Sequence, residues 1–68
     1  MNYEIIKKDL TTLCKRDLES YVYFRYSGNG MKKFRQGFVE YLTGEKRPVT
    51  KCGVVEIVRL ILEKGGAK

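Results

Sequence analysis

Apolar residues near the start of the chain recur at helical spacing. Tyr3, Ile6, Leu10 and Leu13 share one side, while Lys7, Lys8, Asp9 and Thr12 fill the other. With Asn2 placed as an N-cap, this spacing predicts an amphipathic helix over roughly 3–16. The next apolar block, Tyr21-Val22-Tyr23-Phe24-Arg25-Tyr26, has five of its six residues β-branched or aromatic, the composition of a strand. The segment Ser27-Gly28-Asn29-Gly30 then stops it. Beyond it Met31, Phe34, Phe38, Tyr41 and Leu42 return to one face of a helix, with Asn29 able to cap its start and Gly44 suited to follow its end. A hairpin return over 31–38 is the competing pattern. It would set Phe24 opposite Arg35 and Val22 opposite Gly37, which poorly specifies a buried face, so the helix fits better. Gly37 counts against that helix by ~1 kcal/mol relative to Ala.

Residues 45–49 form a basic connector whose proline discourages continuation of the helix. Thr50 is then placed as the N-cap of a last helix, KCGVVEIVRLILEK, ended by Gly65-Gly66. Glu56, Arg59 and Glu63 share its polar stripe, and Val54, Val55, Ile57, Val58, Ile61 and Leu62 are apolar. A helix apolar around more than half its circumference needs more cover than one neighbour in a 68-residue monomer gives.

These elements predict a mostly helical α+β fold. Residues 1–19 make an N-terminal helix or extension, and 20–66 a domain of one strand and two helices. A single strand leaves its backbone groups unpaired. The simplest remedy is a two-fold homodimer whose two strands form an antiparallel ribbon. Alternation then sends Val22, Phe24 and Tyr26 inward and Tyr21, Tyr23 and Arg25 outward. The expected shared core is Val22, Phe24, Phe34, Phe38, Val54, Val58 and Ile61.

Composition narrows the chemistry. The chain has no histidine, no paired-carboxylate or phosphate-loop motif, and only two cysteines, Cys14 and Cys52. That argues against an enzyme, a metal site or a cofactor. The polar N-terminus lacks a signal-peptide pattern and no apolar run approaches ~20 residues, so a cytoplasmic protein with reduced thiols and no membrane contact is expected. Charge is the informative part. The net +6 is uneven: residues 1–20 balance, whereas 21–53 carry seven basic groups against Glu40 and Glu45. A basic stretch interleaved with aromatics is the electrostatic footprint of a nucleic-acid binder. Lys32, Lys33, Lys46, Arg47 and Lys51 are its candidate phosphate contacts.

In its order of strand, helix, turn and helix over 20–64, the chain resembles the ribbon-helix-helix family of small dimeric DNA-binding proteins, the Arc/MetJ type. VYFRYSG looks like the family's strand, and RPVTKCGVVEIVRLILEKG like its capped second helix. The resemblance implies that Tyr21, Tyr23 and Arg25 read base edges in the major groove. It also implies that the start of the last helix, at Thr50, Lys51 and Cys52, holds a phosphate, a role suited to any helix N-terminus. The chain departs from the family in about twenty residues before the strand, a longer interval between strand and second helix, and Gly53 where a polar residue is frequent.

The function expected is sequence-specific binding of double-stranded DNA by a homodimer, as a transcriptional repressor or autoregulator. Two alternatives belong to other classes. One is a monomeric α+β module binding RNA or single strands, with Tyr21, Tyr23 and Phe34 as a stacking platform on a sheet. The other is a mobile-element-encoded inhibitor whose basic face docks an acidic protein. The N-terminal helix is a further candidate surface for a protein partner.

Overall fold

Leu18, Val22 and Tyr26 lie four residues apart, and all three are buried. That spacing belongs to a helix, and residues 15–26 form one. In the computed structural model, which describes residues 2–66, four α-helices follow one another: α1 (Tyr3–Thr11), α2 (Lys15–Tyr26), α3 (Lys32–Thr43) and α4 (Val54–Ile61). A 3-10 turn over Asn29–Met31 leads into α3, and another over Val49–Lys51 precedes α4. A π-helical turn over Leu62–Gly66 continues from α4.

The described residues contain no strand, which overturns the α+β expectation and its intermolecular ribbon. Magnitudes explain the outcome. β-propensity differences span ~1 kcal/mol, whereas burying a large apolar side chain contributes ~1.5–3 kcal/mol. The helical conformation buries Leu18, Val22 and Tyr26 together; the strand would have interrupted that row. Asp17 in the first turn and Arg25 in the last also suit the helix dipole. Phe24 was expected in the core beside Val22, but on a helix it turns outward and is 91% exposed. The expected division between residues 19 and 20 falls inside α2.

Helix α1 begins as its sequence suggests, with the Asn2 Oδ1 accepting from the Glu4 and Ile5 amides at 3.1 and 3.3 Å. It stops well short of residue 16. The Thr11 and Thr12 hydroxyls bond back to the Lys8 and Asp9 carbonyls at 2.9 and 2.6 Å, and Cys14 opens α2 in extended conformation.

The predicted face of α3 is largely realised. Phe34, Phe38 and Leu42 are buried together with Val39, and Gly44 ends the helix in left-handed conformation at φ 72°. Thr50 is not the cap of α4. Pro48 holds an extended backbone, residues 49–51 make a separate 3-10 turn, and Gly53 occupies the N-cap with no side-chain hydrogen bond.

Helix α4 packs against both α2 and α3, and α1 covers it and the following π turn. Much of its wide apolar girth finds cover within the chain, burying Ile57, Leu60 and Ile61 and half-burying Val54 and Val58, while Val55 stays exposed. An aromatic stack completes the core: the Tyr26 ring lies 4.6 Å from Phe34, and Phe34 5.6 Å from Phe38. No helix among the described residues is long and apolar enough to cross a membrane.

Candidate nucleic-acid interface

The segment joining α3 to α4 is strapped onto α3 by side chains. The Gln36 Nε2 donates to the Arg47 carbonyl at 3.0 Å, and the Arg47 amide donates to the Glu40 carboxylate at 3.5 Å. Further along, the Cys52 thiol donates to the Pro48 carbonyl at 3.4 Å. Arg35 is the principal clamp. Its Nε donates to the Cys52 carbonyl at 3.2 Å, and one terminal nitrogen donates to the carbonyls of Tyr26 and Gly28 at 2.5 and 2.9 Å. One guanidinium thus joins the end of α2, the first turn of α3 and Cys52, two residues before α4. It also satisfies carbonyls that a helix end leaves without partners.

With its backbone held, this segment turns Lys46, Thr50 and Lys51 outward, and all three are exposed. They border a concavity of about 620 Å³ that Arg47, Pro48, Gly53 and Glu56 complete. Three cations and one anion line it, and Glu56 is occupied. Its carboxylate accepts from Arg47 at 3.1 Å and from Arg59 at 2.5 Å, and Arg59 also pairs with Glu63 at 3.4 Å. The first turn of α4, with no side chain capping it, opens beside this concavity, where the helix dipole adds partial positive charge.

Among the expected phosphate contacts, the structure brings Lys46, Arg47, Thr50 and Lys51 together. Arg47 differs from the lysines, because it is half-buried and committed to Glu56. Lys32 and Lys33 lie exposed at the start of α3, and the Arg35 clamp places that turn near Cys52. The Lys51 and Cys52 amides, expected to face a phosphate, donate to the Pro48 and Val49 carbonyls at 2.9 and 3.2 Å, and the Cys52 thiol is buried, its pKa raised by burial and then by nearby Glu40.

The three expected base readers separate. Two residues apart on a helix point nearly opposite ways, so Tyr21 and Tyr23 flank opposite sides of α2. Tyr21 and Arg25 border a cleft of about 490 Å³ against α1, with Ile6, Asp9, Tyr26 and Met31. Tyr23 instead lines a groove against α4. Phe34, expected in the alternative stacking platform, is buried. Burial and then the neighbouring Tyr21 raise the Tyr26 phenol pKa.

Sequence reasoning missed the Arg35 clamp, having counted Arg35 only as one more surface cation. Nothing in the local pattern distinguishes it from Lys32 or Lys33; only the position of the connector carbonyls does. The chain matches no family model, and no curated protein or solved structure is significantly similar to it.

Proposed function

We propose that the protein binds duplex DNA through its phosphate backbone, as small transcriptional regulators do. The observation that carries this reading is the distribution of unpaired charge. Lys32, Lys33, Lys46 and Lys51 are exposed and make no ion pair among the described residues. Glu56 and Glu63, the acids of α4 and its π turn, are engaged by Arg47 and Arg59. Lys46 and Lys51 supply mobile point charges, Thr50 a hydroxyl donor, and the start of α4 its amides. Arg25, exposed near the end of α2, borders the cleft against α1 and not this concavity, so it is left out of the proposed contact.

The test is binding to a mixed-sequence duplex between about 50 and 200 mM salt, where binders with many phosphate contacts lose orders of magnitude in affinity. Lys46→Ala and Lys51→Ala should each reduce the log–log salt slope by about 1, whereas Lys8→Ala, on α1, should leave it unchanged. Affinity that is absent, or flat with salt, overturns the reading. Single strands competing better than duplex would move the contact to the exposed aromatics of α2.

A further inference from the structure

The groove between α2 and α4 takes no part in the phosphate-binding face. Val54, Val55, Val58 and Leu62 form its floor and Tyr23 one wall, enclosing about 470 Å³. Val55 is 81% exposed and Tyr23 69% exposed. Phe24, the next residue along α2, is almost wholly in solvent. Single exposed apolar residues are ordinary, but a projecting phenyl ring beside an apolar concavity makes a continuous patch.

Charge distinguishes the occupants this patch can accept. Lys15 and Glu19 stand on its α2 rim and Arg59 on its α4 rim. The Arg59 charge is met by Glu56 and Glu63. Lys15 and Glu19 offset one another and Arg59 is paired, so this rim is close to neutral in a chain of net +6. A polyanion gains nothing there. A second copy of this chain, which any basic face would repel, meets no repulsion there.

We propose that two copies of the chain associate through this face, with the Phe24 of each packing into the α2–α4 groove of the other. Projection and groove lie on one chain, so a two-fold arrangement fills both grooves and leaves neither phenyl ring in water. Aromatic side chains bury ~150–250 Å² each, and a standard interface takes about 800 Å² from each partner. Phe24, Tyr23 and Val55, all largely exposed, supply about half of that, and the stems of Lys15, Glu19 and Arg59 extend it. This inference stands apart from the DNA-binding reading, since it concerns the protein alone and uses none of the lysines assigned to phosphate.

Sedimentation velocity of the purified protein, without nucleic acid, tests it from about 10 to 200 µM. The unmodified chain should run as a dimer at the upper end. Phe24→Ser and Val55→Lys should each weaken association at least tenfold while leaving the circular dichroism spectrum helical, because both side chains are exposed. Mixing the two variants should recover part of the association, since one intact phenyl ring again meets one intact groove. A monomer throughout the range overturns the proposal, whatever else occupies the face. So does a dimer indifferent to both substitutions, and so does a mixture that fails to recover.

Discussion

The phenol of Tyr3 lies over Gly37, so close that a methyl group at residue 37 would overlap the hydroxyl oxygen and stand 3.1 Å from Cζ. This contact docks the start of α1 onto the middle of α3. The ring is held there by Phe34 and Phe38, each with its centroid 5.9 Å away, and by Tyr41 at 5.8 Å. A glycine that weakens its own helix is therefore what lets the two helices meet.

Gly37→Ala pits helix propensity, which favours Ala by ~1 kcal/mol, against overpacking, which costs ~1–3 kcal/mol. Because three aromatic rings restrain Tyr3, overpacking should win, with a net loss of about 1 kcal/mol in urea unfolding. In a Tyr3→Ala background the sign should reverse, to a gain of about 1 kcal/mol. Stabilisation of the unmodified chain by Gly37→Ala would show that the two residues are not in contact.

Arg35→Ala should lower stability by about 2–3 kcal/mol, because charged hydrogen bonds to three backbone carbonyls are lost in partly buried surroundings. Arg35→Lys should recover less than half of that, since one ammonium cannot span carbonyls in two directions as the planar fork does. Urea midpoints for the three proteins decide it; equal stability of the lysine variant would refute the clamp.

Phe24 and Phe38 offer a direct contrast between the strand reading and the helix. Phe38 is fully buried, and Phe38→Ala should cost ~3–5 kcal/mol. Phe24→Ala, measured at concentrations low enough to keep the chain monomeric, should stay within about 0.5 kcal/mol. A large loss at Phe24 would restore it to the core.

Alkaline conditions should expose the two raised groups. The Cys52 thiol is raised above its ordinary 9.0, and the Tyr26 phenol above 10.0, in each case chiefly by burial. A folded-state pKa above the unfolded one gives stability that is complete below the unfolded value and is lost as pH climbs through the folded one. Urea midpoints should thus be level from about pH 7 to 9 and fall beyond. At about pH 8.5 iodoacetamide should modify half-buried Cys14 well before Cys52, as mass spectrometry of the peptides would show. Equal rates would mean that Cys52 is accessible.

Much of the helical framework was legible in the chain. Asn2 marks the start of α1, and Gly44 the end of α3, because each position needs a particular local geometry that few residues supply. Phe34, Phe38 and Leu42 declare a face by spacing alone. Residues 21–26 misled, because six residues rich in aromatics satisfy a period of two and a helical period about equally well. The deciding partner, Leu18, lies outside that window. Thr50 misled in another way: it has the right chemistry for a cap, but Pro48 and the 3-10 turn after it displace the helix start to Gly53. Of the candidate site, the lysines were readable as a cluster because the connector keeps Lys46 and Lys51 close in sequence. The separation of Tyr21 from Tyr23 followed from the conformation of α2, and no local pattern foretold it.

Helix α4 touches every other helix, yet it is the last of the four to be synthesised. Without residues 54–61, the core that holds Leu18, Val22 and Phe38 lacks Ile57, Leu60 and Ile61. Folding of this chain therefore cannot be completed helix by helix from the N-terminus: it closes only when α4 docks against the other three.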